Sequence, residues 1–218
     1  RYQEAIQIIK MSWISAERFS FDGKYWKFND IIVEPKPIQN PHPPLWSAAG
    51  SDQSIRGVAT AKFNVLLDHF ASFERTRQRL DVWKAACAET GRQFIPDEVA
   101  LARGLTIALS KREYDDAIRL REERVSKLFS KFGTLPGIKN ERPNSYSDKG
   151  TEMDDAALIG SPEDIIRRLK VLQQMGFEYV NILLPEDKRS LRIFSEEVMP
   201  EFSRKEKVTD VSNERALA

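Results

Sequence analysis

Two serines three residues apart, Ser51 and Ser54, stand where a short apolar run gives way to a helix in the stretch Pro44-Leu45-Trp46-Ser47-Ala48-Ala49-Gly50-Ser51-Asp52-Gln53-Ser54. The small residues Ala49 and Gly50 let a ligand approach the backbone closely, and a helix starting just after them points unbonded N–H groups at the same place. Such a junction suits an anion. Ser51 at the N-cap and Ser54 at the third helical position add hydroxyls that can donate to phosphate oxygens. The same pair also makes an ordinary helix cap, and the pattern alone favours that simpler role, because serine is among the commonest N-caps. Asp52 suits the helix dipole yet repels a phosphate unless it faces away. The sequence holds no Gly-x-Gly-x-x-Gly fingerprint, Walker loop or Gly-x-Ser-x-Gly elbow, so the usual dinucleotide, nucleotide and hydrolase sites lack their residues.

Few other side chains invite chemistry. His69 follows the apolar run Phe63 to Leu67, at the end of a strand where barrel enzymes keep their sites, although a lone histidine there is more often structural. His42 sits in a proline-rich connector and reads as structural. Two distant histidines and one cysteine give no metal-ligand cluster. Cys87, on the inner face of a helical pattern with Trp83, reads as a buried thiol in a reducing, cytoplasmic setting. Arg103 is a charge inside an apolar strand, so an acidic partner or a position facing the helical layer is expected.

The elements that must position these residues alternate along the chain. Ala5, Ile6, Ile9 and Trp13 mark an amphipathic helix over Tyr2 to Trp13. Phe19-Ser20-Phe21 and Lys24 to Phe28 flank Asp22-Gly23, which predicts a tight hairpin. Glu34 to Pro44 is an extended proline-rich connector. Then follow strand Leu45 to Ala49, helix Asp52 to Ala61, strand Phe63 to Asp68, helix Phe73 to Thr90, strand Val99 to Leu109 and helix Lys111 to Phe132. After a polar segment, Gly133 to Glu152, come helix Ser161 to Met175, strand Glu178 to Leu184, a final helix from Lys188 to Phe202 and a polar tail from Ser203 to residue 218. Strands separated by helices predict parallel βα units, an α/β fold. A closed eight-stranded barrel typically needs about 250 residues. Four strands that use most of 218 residues, with no strand ahead of the first helix and Arg1 in place of Met, lead us to expect the second half of such a barrel.

Composition bounds the function. The chain is 41% hydrophobic and 31% charged, with a formal net charge of +1. A near-neutral balance gives no nucleic-acid footprint and no polybasic membrane patch, and no apolar run is long enough to span a bilayer. Small molecules and protein partners are the expected ligands.

The motifs "FDGKYWKF", "PKPIQNPHPPLWSAAGSDQSIRGVA", "FNVLLDHF", "RQRLDVWKAACAETGR" and "IGSPEDIIRRLKVLQQMGFEYVNILLP" together resemble the carboxyl-terminal portion of the bacterial-luciferase-like family of flavin-dependent monooxygenases, which are TIM-type (β/α)8 barrels. The resemblance runs to about Phe202. It implies one domain over 1–202 that supplies strands five to eight plus the hairpin excursion. It further implies FMN, in reduced form as a co-substrate, with its phosphate on Ser51 and Ser54 beside the Ala49 and Gly50 backbone, and His69 near the flavin ring or substrate. The implied reaction inserts one oxygen atom of O2 into a small organic substrate, with a separate flavin reductase as partner; a homo-oligomer is the expected state of the full-length protein. A deazaflavin-dependent dehydrogenase on the same barrel, and a non-catalytic flavin-binding relative or inactive fragment, are the alternatives. Lys62 stands where relatives often carry a helix-ending glycine. Trp46 is expected in the core, and Tyr25 and Trp26 in packing of the hairpin over the barrel. Gly133 to Asp155 is expected to be either a lid over the flavin or a disordered insertion with no role.

Overall fold

The computed structural model describes residues 1–132, 156–185 and 187–203, and the chain divides into two compact units, Arg1–Trp46 and Ser47–Ala218. The segment expected as a lid, Gly133 to Asp155, and nearly all of the expected tail lie outside the described residues.

The first unit begins with helix α1 (Tyr2–Ile14) and continues into an antiparallel hairpin, β1 (Phe19–Asp22) and β2 (Lys27–Ile31). The hairpin loop is longer than Asp22-Gly23 predicts. Glu4 of α1 explains this: its carboxylate accepts the N–H groups of Lys24, Tyr25 and Trp26 at 3.0, 2.9 and 3.2 Å, so these amides are drawn out of the strand ladder. Gly23 closes the loop by donating to the Trp26 carbonyl, 2.9 Å, and an added Cβ would stand 2.5 Å from the Glu4 carboxylate and from the Phe21 ring, so one of them would have to shift. Tyr25 and Trp26 remain exposed within this unit. His42 lies against Trp13 with ring centroids 5.8 Å apart, and its Nδ1 meets the Pro43 carbonyl at 2.7 Å, a structural setting.

The second unit alternates strand and helix: β3 (Trp46–Ala49), α2 (Asp52–Thr60), β4 (Asn64–Leu67), α3 (Phe73–Glu89), β5 (Val99–Ile107), α4 (Lys111–Phe132), β6 (Leu158–Gly160), α5 (Pro162–Met175), β7 (Tyr179–Leu183) and α6 (Lys188–Ile193). β3 begins on the last residue of the first unit. The sheet runs β3-β4-β5, with β7 and β6 also paired to β5. β4, β7 and β6 all lie parallel to β5, in registers Val65↔Val99, Ala100↔Tyr179 and Leu105↔Leu158. This is a parallel α/β sheet of five strands, one more than the sequence predicts. β6 escapes a sequence reading because three residues are fewer than the five or six of an ordinary strand.

β5 is the centre. Val99 to Arg103, Leu105 and Ile107 are buried, and alternation sends Arg103 to the helical layer and Gly104 and Thr106 elsewhere. Trp83, Leu80 and Cys87 of α3 are at most 1% exposed and form the main core with Ile55 of α2, so Cys87 is the buried thiol the pattern predicts. Desolvation pushes that thiol above its ordinary pKa, which suits an inert side chain. Trp46, at 38% exposed, is not the core residue expected of it. It stands on β3, which pairs only with β4 among the described residues.

Local signals set the helix ends. α5 has a reciprocal cap between Ser161 and Asp164, Pro162 in its first turn, and Gly176 in the left-handed region at its end (φ 104°). At the end of α2, Lys62 itself adopts a left-handed φ of 57°, the conformation for which glycine is suited. The expected last helix is regular only to Ile193. It widens into a π turn over Phe194–Val198 and ends as a short 3-10 turn at Met199–Glu201, where Pro200 has no N–H to continue the ladder.

Candidate functional site

At the start of α2 the two serines bond first to each other. Ser51 Oγ accepts the Ser54 N–H at 3.2 Å, and Ser54 Oγ accepts the N–H groups of Ser51 and Gly50 at 3.0 and 3.2 Å. The Ser54 hydroxyl also reaches the Ser51 carbonyl at 2.8 Å. This is a reciprocal helix cap, the simpler of the two roles the sequence allows. It also gathers the Gly50 and Ser51 amides at the carboxyl end of β3, with Ser51 exposed and Ala49 buried beneath. Asp52 faces a cation: its carboxylate accepts Arg75 Nη2 of α3 at 3.1 Å. The acidic side chain that would repel an anion is thereby paired, and a guanidinium stands beside the helix start.

β4, the neighbour of β3, delivers His69 to the same end of the sheet. Asp68 shapes the turn between them: its Oδ1 accepts the Phe70 N–H at 2.9 Å, and its Oδ2 accepts Arg79 Nη1 at 3.0 Å. Arg79 is fully buried. Arg103, also fully buried, faces the helical layer as expected, donating to Thr76 Oγ1 at 2.6 Å and to the Asp68 carbonyl at 3.2 Å. Both partners are oxygen acceptors of the helical side of the sheet, the second of the two placements expected. His69 stacks on Phe70 with centroids 3.9 Å apart. Burial lowers the His69 pKa, and the nearby Arg121 cation lowers it further against the opposing pull of Asp68, so the neutral ring is favoured.

His69 opens on a cavity of about 520 Å³. Its walls are Phe70, Gly104 and Thr106 of β5, Leu120, Arg121 and Arg124 of α4, and Leu183 and Leu184 at the end of β7. Arg121 Nη2 donates to the His69 carbonyl at 2.9 Å, and Nη1 lies where a Cβ on Gly104 would come within 3.4 Å. The guanidinium therefore lies against the bare backbone of β5. His69 is thus placed in a ligand-sized cavity, within the usual range of about 300–1,000 Å³. Ala49, Gly50, Ser51 and Ser54 do not line it. They cluster separately at the adjoining strand end.

Sequence reasoning missed Arg121, Thr106 and Arg75. A signal existed for the first: Ala117, Leu120, Arg121, Arg124 and Val125 follow three- and four-residue spacing along one face of α4, so the two arginines share a stripe with apolar residues. Among the described residues no group of three His, Cys, Asp or Glu side chains could hold a metal, and no helix is long and apolar enough to cross a membrane.

Known proteins share this architecture. The chain is 24% identical over 218 residues to the FMNH(2)-dependent dimethylsulfone monooxygenase of Pseudomonas putida, covering 92% of this chain and 57% of that protein. It is 27% identical over 226 residues to the oxygenase component of the flavin-dependent trigonelline monooxygenase of Acinetobacter baylyi, covering 93% of this chain and 60% of the relative. The chain thus spans less than two thirds of the length of these relatives. Its fold matches the monooxygenase RslO1 of Streptomyces bottropensis with a TM-score of 0.67 at 17% identity, over 93% of this chain and 61% of that one. An F420-dependent secondary alcohol dehydrogenase matches with a TM-score of 0.65 at 14% identity, over 92% of this chain and 60% of that one. The sheet is accordingly a partial barrel. Because the model of the luciferase-like monooxygenases matches residues 1–179, the chain belongs to the luciferase-like monooxygenase family.

Proposed function

We propose that this chain is the carboxyl-terminal part of an FMN-dependent monooxygenase that inserts one atom of O2 into a small organic substrate. In this reading β3, β4, β5 and β7 are the fifth to eighth barrel strands, and β6 is an addition to the carboxyl end of β5. The observation that carries the reading is family membership, joined to a helix start whose features fit a phosphate. The Gly50 and Ser51 amides and two hydroxyls converge there, and the one acidic neighbour, Asp52, is paired with Arg75. When bound, reduced FMN supplies the electrons that activate O2. The chain's own residues do the rest. Ser51 and Ser54 receive the phosphate, His69 borders the ring or substrate, and Leu120, Leu183 and Leu184 give the cavity an apolar wall.

A relative described as an oxygenase component supports a separate flavin reductase as partner. The fold likeness to an F420-dependent dehydrogenase keeps a deazaflavin-dependent dehydrogenase as the second reading. The full-length protein, supplied with reduced FMN and a reductase, should consume labelled dioxygen and carry one labelled atom into product. Substrate oxidation that proceeds equally well under argon with oxidised deazaflavin would favour the dehydrogenase instead.

A further inference from the structure

We infer that the cavity between α4 and the ends of β5 and β7 is a binding site for a small organic acid with an apolar body, and that Arg121 receives its carboxylate. The inference rests on the reading of the chain as an oxygenase, and names the class of substrate that its cavity takes. The first observation is the placement of Arg121. Its guanidinium is half-buried, held by the His69 carbonyl at 2.9 Å and seated against Gly104, so the cation is fixed at the cavity wall rather than swinging in solvent. A fixed planar guanidinium is pre-organised for a carboxylate, and in a low-dielectric wall its attraction is weakly screened.

The second observation is the charge balance. Arg121 and Arg124 both line the cavity with His69, whose charged form burial disfavours. The acidic lining residue, Asp187, turns its Oδ1 to the Ser190 N–H at 2.7 Å, at the start of α6. Among the described lining residues two arginines face one carboxylate. The third observation is the remainder of the wall, where Phe70, Leu120, Leu183 and Leu184 offer a body-sized apolar surface, with Leu183 and Leu184 about half exposed to it and to solvent. A charge at one end and hydrocarbon along the other describe a monocarboxylate of moderate size, against the separate phosphate cluster at the start of α2.

Calorimetric titration of the full-length protein with hexanoate, hexanamide and FMN tests this. Hexanoate should bind at least about tenfold tighter than hexanamide, the margin expected of one hydrogen-bonded charge pair. Arg121→Gln, which keeps a donor for the His69 carbonyl, should erase the preference, and Arg121→Lys should keep most of it. If Arg121→Gln folds poorly, Thr106→Asp, which adds a carboxylate on the same face of β5 as Gly104, should weaken hexanoate and spare hexanamide. Equal binding of the two probes, or binding of neither while FMN binds, overturns the inference. So does an Arg121→Gln variant that loses FMN as much as hexanoate, because Arg121 would then belong to the cofactor. A hexanoate preference in a protein that fails to bind FMN would instead leave the acid site standing and remove the oxygenase reading.

Discussion

Replacing Asp68 by asparagine isolates the ion pair beneath the site. Arg79 is fully buried and the Asp68 side chain is 19% exposed, with the charged atoms 3.0 Å apart. Removing one partner of a buried pair costs about 3–5 kcal/mol, because the remaining charge stays desolvated. The exposure of Asp68 argues for the low end. Asparagine keeps the oxygen that accepts the Phe70 N–H at 2.9 Å, so the turn itself should survive, while its amide NH2 replaces the acceptor that faces Arg79. We expect a loss of about 3 kcal/mol, which at a urea slope of about 2–3 kcal/mol/M moves the unfolding midpoint down by about 1 M. Adding Arg79→Met to Asp68→Asn should restore most of the loss, since no charge is then stranded. A change under about 0.5 kcal/mol for Asp68→Asn, or a double variant as weak as the sum of both singles, would refute the argument that this carboxylate neutralises the buried layer.

Further outcomes follow from other residues. Lys62→Gly relieves a left-handed φ of 57° and should raise stability by about 1 kcal/mol; thermal unfolding at matched concentration reads this, and a loss would contradict it. Glu4 has its pKa lowered first by the Tyr25 amide and then by those of Lys24 and Trp26. A depressed carboxylate contributes stability above its unfolded pKa and loses it as pH falls through the folded value, so amide-exchange protection at residues 24–26 should hold at neutral pH and begin to fall only below the ordinary glutamate pKa of about 4.3, with Glu4→Gln abolishing the pH dependence. The 218-residue chain alone carries β3 and β7 each paired on one side among the described residues, with Trp46, Tyr179 and Leu183 exposed. It should self-associate with rising concentration, and a monodisperse, cooperatively melting monomer would count against the partial-barrel account.

Much of the fold is legible because strong local signals agree with the tertiary outcome. The α5 boundaries follow from Ser161-Pro162 and Gly176, and the β3 to α2 turn follows from Ala-Ala-Gly-Ser. The failures have physical causes. Glu4, distant in sequence, reshapes a hairpin that Asp22-Gly23 alone describes as a two-residue turn. β6 is too short to announce itself, and forms because Leu105 to Ile107 extend past the ends of the neighbouring strands. His69 is visible as a strand-end histidine, whereas Arg121 is disguised among the charges of α4. Only the approach of α4 to His69 and Gly104 sets it apart from its solvent-facing neighbours.

The central claim is that the start of α2 receives a flavin phosphate, and the sharpest measurement compares FMN with riboflavin, which has the same ring and no phosphate. In the full-length protein, Ser51→Ala with Ser54→Ala removes two hydroxyls whose hydrogen bonds to a charged group are each worth about 1.5–3 kcal/mol. Part of that is offset because both hydroxyls must first leave their bonds to Ser51 and Ser54 themselves. The account predicts FMN binding at least about tenfold weaker in the double variant with riboflavin binding nearly unchanged. Equal losses for the two ligands, or no loss for either, would contradict it and leave Ser51 and Ser54 as a helix cap.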